Sequence, residues 1–408
     1  MTNTILSDYP RSVTSDGRVV SLRTLNTFCH NSATIINRLG TRGDSKSYYR
    51  DQYALNAGIP EAEQVVFDSD TSATVSKRIL HFIFSNHQLQ PEARILDVGC
   101  GRGLLLREFA RHSETYRIVG IEPNQTAMLL LQDDFELSKL ELYKDLSDYG
   151  LEDNLDLILL TNVIEHVEDP KPFLEQVVQL LKPGALLFVG APNFENNPLD
   201  LLIADHLTRF TPRTISVLFS SVGLTIVASV TTETNVAMWW LLRKSTRPIE
   251  SKVQLSQLDD AHIAREYAIA EANQNWLDIC LETTARAIND AKRRGIPIIL
   301  YGTGSLWPGM VALDYSLETD IDYIVDDNQS YWNTQRWGHT IQRPFATYIH
   351  IELQSLSVIC SNPCYSTRIA GNVRRFSRGS SVIAGACAPL APIEASEKHR
   401  ERDINYRI

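Results

Sequence analysis

The residues best suited to chemistry in this chain begin at Asp97-Val98-Gly99-Cys100-Gly101-Arg102-Gly103, three glycines at alternate positions behind an apolar run. A glycine turn after a strand lets a ligand approach the backbone, and the helix that follows directs its positive end at that ligand. A dinucleotide site of this kind needs a third glycine at the spacing GxGxxG, and Leu104 stands at that position. Asp97 adds a carboxylate at the strand end, two residues before the first glycine. Beside a pyrophosphate it would repel; beside an ammonium it would attract.

Further acids follow at intervals that an alternation of strands and helices brings to one edge. Glu122, 25 residues after Asp97, and Pro123 close the next apolar run, where a carboxylate can accept from both hydroxyls of a ribose. Asp145 and Leu146 follow a third short run, where an acid can accept from an adenine amino group. Asn162, Glu165 and His166 follow a fourth, strongly apolar run over 155–160. Ligands of such sheets bind outside the carboxyl ends of the strands, so these groups are expected to share one crevice. An ammonium, a ribose and an adenine together describe S-adenosylmethionine. Taken singly, Asp97 or Asp145 could cap a helix or turn, Glu165 could be a surface residue, and His166 could pack at a helix start.

Methyl transfer from a sulfonium is an in-line displacement, so the protein's task is to position the acceptor and help remove its proton. A base is expected beyond the fifth apolar run. The segment Ala204-Asp205-His206-Leu207-Thr208-Arg209-Phe210-Thr211 lies there, after a proline-containing loop over 192–198. His206 is the candidate base; the alternative is a hydrogen bond to the start of the next helix. Tyr49 and Tyr53, with Tyr48, could close over the cofactor or line the acceptor site, or could anchor the N-terminal segment to the core.

These side chains need a scaffold, and the hydrophobic periodicity supplies one. Strands are expected at 94–98, 117–121, 140–143, 155–160, 185–189, 225–230 and 236–242. Helices are expected near 104–112, from 125, at 172–181 and near 212–221. This alternation specifies an α/β fold with a mostly parallel Rossmann-like sheet, and the last two strands, with no helix between them, suggest an antiparallel edge. A linker over 245–257 and an amphipathic helix over 261–294 lead to a second, smaller Rossmann-like αβ domain. That domain has a strand at 298–301, the turn Gly302-Thr303-Gly304, a helix near 307–317 and a strand at 321–325 ending in Asp326-Asp327. The third fingerprint position there is Trp307, too large for close phosphate approach, so a vestigial or acceptor-binding unit is expected. Arg374, Arg375 and Arg378 could contact phosphate or form a solvated basic face. The expected boundaries are an N-terminal arm over 1–70, a methyltransferase domain over 71–243, a linker and helix over 244–294, the second domain over 295–389 and a tail over 390–408.

The strings ILDVGCGRGLLL, VGIEPN, TNVIEHVEDP and LKPGALLFVGAPN resemble, in order and spacing, the successive motifs of Rossmann-like S-adenosylmethionine-dependent methyltransferases over about 85–230. The resemblance implies cofactor contacts at Asp97, Gly99, Gly101, Glu122, Asp145 and Asn162. The segment around Asp205-His206 resembles the acid–His pair of deoxysugar methyltransferases, including sugar C-methyltransferases, where the pair is usually Glu-His. It implies His206 as general base and Asp205 as its orienting partner. Glu63–Asp68 and the tyrosine cluster look like the N-terminal region of that family, and YGTG and IVDDN look like its second Rossmann-like domain, which frames an acceptor that is often a nucleotide-linked sugar. Many relatives carry an N-terminal zinc module with CxxC pairs. Here the paired cysteines are absent, Cys29-His30 alone cannot form a four-ligand site, and no metal is expected.

The remaining composition narrows the classes. A net charge of -10 gives no general pull toward nucleic acid or anionic membrane. The N-terminus lacks a signal-peptide pattern and the six scattered cysteines suggest reduced thiols, so a cytoplasmic location without membrane partners is expected. The expected partner is a small acceptor, sugar-containing, methylated on carbon or oxygen; nothing in the sequence marks an oligomer interface. Three other readings stay open: an inactive, cofactor-binding partner subunit, a methyltransferase of a non-sugar natural product, and an oxidoreductase using the second glycine loop.

Overall fold

The computed structural model describes residues 3–54, 63, 65–67, 72–137, 139–150, 154–231, 237–246, 259–313, 321–351, 354–361, 363–378 and 381–386. Most of the expected linker and the whole expected tail lie outside the described residues, as do Val236 and the end of the helix expected near 307–317.

Seven strands form the central sheet: β1 (Arg94–Val98), β2 (Arg117–Ile121), β3 (Glu141–Tyr143), β4 (Leu155–Thr161), β5 (Leu181–Pro192), β6 (Leu224–Val230) and β7 (Ala237–Lys244). Their order is β3-β2-β1-β4-β5-β7-β6. The neighbours from β3 to β5 pair in parallel, whereas β7 runs antiparallel to both β5 and β6. The sequence expected an antiparallel pair at the edge. The last two strands form that pair, with β6 outermost and β7 against β5, where Met238, Trp240 and Leu242 are buried in the same cluster as Leu187 and Val189 of β5.

Alternation along each strand fills both faces. Leu96, Ile158 and Leu160 meet the helices Pro170–Leu180 and Pro212–Ser221, while Ile95, Leu157 and Leu159 meet Val75–Asn86 and Leu104–His112. Burial on both faces is why these strands read as nearly continuous apolar runs.

The segment expected as an arm forms strands. Asn3–Tyr9, Thr24–Cys29 and Thr34–Asn37 make a sheet completed by Thr208–Arg209, which pairs antiparallel with Ile35 and Ile36. Buried Thr24, Asn26 and Thr27 replace the apolar residues that would have marked such strands in the sequence. The strand Thr208–Arg209 directly follows Asp205-His206, so this small sheet fixes the acid–His segment.

The second domain has β8 (Ile298–Tyr301), β9 (Tyr323–Val325), β10 (Gln335–Arg336), β11 (His339–Gln342), β12 (Ser355–Ile359) and β13 (Ser381–Gly385), in the order β10-β11-β9-β8-β12-β13. All neighbours are parallel except the β10–β11 hairpin. The helix Asp260–Arg293, capped by Asp259, buries Leu277, Leu281 and Ile288 in one core with Ile298 and Leu300 of this domain, Phe28 and Ile35 of the N-terminal sheet, and Leu199, Leu201 and Leu202 beside the acid–His segment. Among the described residues no helix is long and apolar enough to cross a membrane.

Candidate active site

The glycine turn leaves β1 with Gly99, Gly101 and Gly103 at φ of 71°, 55° and 70°. A Cβ on Gly99 would meet Val163 Cγ2 at 3.0 Å. The turn therefore needs glycine for backbone conformation and, at Gly99, for space. Asp97 is 3% exposed, and its Oδ1 has no hydrogen-bond partner. Burial, with the charge of Glu122 nearby, holds its carboxyl well above the usual carboxylate range. A buried acid without a partner is matched by a cationic ligand group, so the crevice fits the ammonium of S-adenosylmethionine.

Glu122 is placed at the carboxyl end of β2, where it accepts from the backbone N–H of Gly101 at 2.8 Å and of Asn124 at 2.7 Å. Burial raises its pKa, and these two bonds work against that rise. Pro123 is half-buried beside it. Asp145 caps the short helix Leu146–Tyr149, accepting from Ser147 N–H at 3.0 Å, and pairs with the exposed Lys46. Its carboxylate thus performs the capping role that its sequence position also allowed. Leu146 packs partly buried against the core behind β3. Asn162 is exposed at the end of β4 with φ of 53°, and its N–H donates to the Gly190 carbonyl.

The N-terminal segment closes one side of the crevice. Tyr48–Gln52 is a π-helical turn, and Tyr48, Tyr49 and Tyr53 stack edgewise within 6.2 Å of one another. Asn124, just past Glu122, donates to the Tyr53 carbonyl at 2.9 Å. This ties the aromatic cluster to the cofactor edge.

The acid–His segment lies in the same wall but is wired differently from the pattern expected. Asp205, fully buried, accepts from Ser15 N–H at 2.7 Å, Ser15 Oγ at 2.6 Å and Tyr49 Oη at 3.0 Å. Its carboxylate therefore does not orient His206, a correction to the role implied by resemblance. The carboxylate on His206 Nδ1 belongs to Asp200, in the 3-10 turn Pro198–Leu202. Asp200 is itself flanked by Arg209, whose guanidinium donates to the Asp200 and Ile203 carbonyls. The shorter Asp at 205 reaches back to the N-terminal segment, and a turn six residues upstream supplies the acid.

His166 faces His206, with ring centroids 4.8 Å apart. Its Nδ1 lies 2.8 Å from the Asp205 carbonyl and 2.6 Å from Tyr49 Oη. A carbonyl only accepts, so Nδ1 carries the hydrogen and Nε2 presents a lone pair. Glu165, 2% exposed, has neither carboxylate oxygen hydrogen-bonded, and burial pushes its pKa up to about 7. Burial opposes charge on His206, but Asp200 on its Nδ1 and the nearby Glu165 outweigh this and raise its pKa to about 9. Burial and the charge of His206 push His166 well below the ordinary imidazole value. At neutral pH the pair carries its proton on His206.

Sequence reasoning had no signal for Ser15 or Asp200, which come from other segments or outside the motif. It placed Glu165 at the crevice rim without a role. In the second domain, Gly302 and Gly304 face their own chain: a Cβ on Gly304 would lie 2.3 Å from the Cys360 carbonyl oxygen. Asp326 accepts from Asn328 N–H, and Asp327 accepts from Tyr301 Oη at 2.7 Å and pairs with Arg368. Arg375 lies over the Phe376 ring.

Residues 67–229 match the model of a methyltransferase domain family. The chain is similar to the ubiquinone biosynthesis O-methyltransferase of Nitrobacter winogradskyi, 30% identical over 125 residues, covering 29% of this chain and 47% of the relative. It is also similar to that of Chelativorans sp., 35% identical over 128 residues, covering 29% and 49%. The chain thus spans about half the length of these curated relatives. Among solved structures it is similar to a SAM dependent methyltransferase from Aquifex aeolicus, 17% identical with a TM-score of 0.35, over 41% of this chain and 89% of that one. Over 67–229, about two fifths of its length, the chain is thus similar to a methyltransferase domain.

Proposed function

We propose that the protein transfers the methyl group of S-adenosylmethionine to a small, sugar-containing acceptor. One observation carries the reading: Asp97, with an unpartnered buried oxygen at the carboxyl end of β1, and His166, past the carboxyl end of the neighbouring parallel β4 and facing His206, lie on the same edge of the sheet. The bound cofactor supplies the electrophilic methyl group. Asp97 holds the ammonium, Glu122 takes the ribose hydroxyls in exchange for its two backbone N–H bonds, and Asn162 borders the same edge. His206, held by Asp200, receives the acceptor's proton in its deprotonated form, whose share grows as pH rises toward about 9, beside the neutral His166, and Tyr49 and Tyr53 exclude water from that side.

The sugar acceptor is supported by the combination of an N-terminal sheet, a second Rossmann-like domain and a shared core around Leu199–Leu202, which place extra surface beside the acid–His segment. A second reading, methyl transfer to oxygen of a non-sugar acceptor, is favoured by the names of the curated relatives, whose matches cover 29% of this chain.

The test is incubation of the protein with cofactor carrying a carbon-13 methyl group and a panel of nucleotide-linked sugars, keto-sugars and phenols, followed by carbon–proton NMR. A labelled methyl on a sugar carbon or oxygen, lost in His206→Gln while cofactor binding persists, is expected. Label only on phenols would move the reading to the second acceptor class. Near-normal turnover of His206→Gln would remove the assigned base.

A further inference from the structure

Glu165, His166 and His206 present one donor atom each, and these atoms all lie within 4.8 Å of one another. We propose that the three side chains form a binding site for a divalent transition-metal cation of zinc type, with a coordination position left open for an oxygen donor. The proposal rests on the reading of this crevice as the acceptor site.

The first argument is the carboxylate. Glu165 is 2% exposed and neither of its oxygens has a partner. A buried carboxylate is costly unless paired, hydrogen-bonded or bound to a metal. The surrounding wall offers Glu165 imidazole nitrogens: His166 Nε2 lies 3.9 Å from Oε1.

The second argument is the orientation of the imidazoles. Metal-bound histidines use one ring nitrogen and donate the other N–H to a carboxylate or carbonyl, which fixes the tautomer and the ring. Both histidines have that arrangement. His206 Nδ1 is held by the Asp200 carboxylate, and His166 Nδ1 by the Asp205 carbonyl, with Tyr49 Oη beside it. In each ring Nε2 is the nitrogen left for a ligand. Two imidazole nitrogens and one carboxylate, with an open position, form the donor set of a catalytic zinc site. Magnesium and calcium, which take oxygen ligands, fit it poorly.

Donor atoms about 2.1 Å from one cation in a tetrahedral arrangement stand roughly 3.4 Å apart, so loading shortens the separations between donor atoms by up to about 1.4 Å. The short 3-10 turn Ile164–His166 carries two of the ligands. The base role given to His206 above belongs to the metal-free form; in the metal-loaded form His206 is a ligand, and the proton of an acceptor oxygen at the open position leaves to solvent. An acceptor oxygen at the open position is then acidified by the cation, as metal-bound water is.

Cobalt(II) is the probe, because in a zinc-type site it gives visible ligand-field absorption independent of any methyl transfer. Full-length protein is stripped with chelator, dialysed and titrated with cobalt. The expected result is a saturable visible band at about one equivalent per chain, abolished by excess zinc. Glu165→Gln is expected to weaken binding at least about 100-fold, and Asp200→Asn, which removes an orienting carboxylate, about 10- to 100-fold. Binding of S-adenosylmethionine by each variant reports that the fold is retained; if Glu165→Gln fails to fold, Asp200→Asn and His166→Gln decide. No cobalt band in the wild-type protein, or an unchanged affinity in folded variants, overturns the proposal. Cobalt binding without methyl transfer would instead count against the function proposed above, and methyl transfer in stripped, non-binding protein would count against the metal alone.

Discussion

Replacing Asp97 with asparagine should make the cofactor-free protein more stable and at the same time destroy its response to cofactor. The side chain is 3% exposed, its Oδ1 has no partner, and its carboxyl is held well above the usual range by burial and then by Glu122. In the unfolded chain the same acid ionises at about pH 4. Between that pH and its folded-state pKa, the folded protein holds a proton that the unfolded chain has lost. Stability therefore falls as pH rises through this window, and is restored below it. An isosteric amide removes the titration, and the relief of an unmatched buried group is worth about 1–3 kcal/mol. For a domain of this size each kcal/mol moves the melting temperature by about 2–4 °C. Differential scanning calorimetry at neutral pH should show Asp97→Asn melting higher than wild type without cofactor, and the advantage should vanish near pH 4. With S-adenosylmethionine at 100 times its Kd the wild type should gain about 2.7 kcal/mol. The variant, lacking the charged partner for the ammonium, should lose about 2–5 kcal/mol of binding and gain less than about 1 kcal/mol from the same ligand. An asparagine variant that melts lower without cofactor, or that keeps the cofactor-induced rise, would refute this account of Asp97.

Two further outcomes separate roles within the site. Asp200→Asn should lower kcat by about 100- to 10,000-fold with cofactor affinity unchanged, because His206 loses its orienting carboxylate. Asp205→Asn should act mainly on KM, since that carboxylate holds Ser15 and Tyr49 rather than the base; steady-state kinetics of the two variants would show the same profile if the assignment were wrong. Gly99→Ala should cost about 1–2 kcal/mol in a denaturant titration from its left-handed backbone alone, before the contact with Val163, and an unchanged midpoint would contradict the strained turn.

The legible parts of the fold were those where local pattern and burial agree. The runs Arg94–Val98 and Leu155–Thr161 are buried on both faces and read as strands from the sequence. Their carboxyl ends led to Asp97 and Asn162, and that of Arg117–Ile121 led to Glu122. Asn124 and Thr211 cap the helices that follow them with side chains suited to the task. The N-terminal sheet was not legible, because its buried positions include Thr24, Asn26 and Thr27, whose polar groups erase the alternation. Asn26 Nδ2, for instance, is satisfied only by Ser7 and the Leu201 carbonyl, far away in sequence. The antiparallel edge made by β6 and β7 was legible because no helix separates the two runs. The acid on His206 was misassigned: adjacency in sequence suggested Asp205, but the turn Pro198–Leu202 points Asp200 at the ring and leaves Asp205 to Ser15 and Tyr49. The convergence of Glu165, His166 and His206 joins loops forty residues apart, a distance no local motif spans.

A crystal structure of the full chain with S-adenosylhomocysteine tests the central claim most directly. The account predicts the ligand's amino group within about 3 Å of Asp97, its ribose hydroxyls on Glu122, and its sulfur facing the wall of Tyr49, His166 and His206. Ligand bound instead at the Gly302–Gly304 turn, or in the crevice with its sulfur turned away from the imidazole pair, would contradict it.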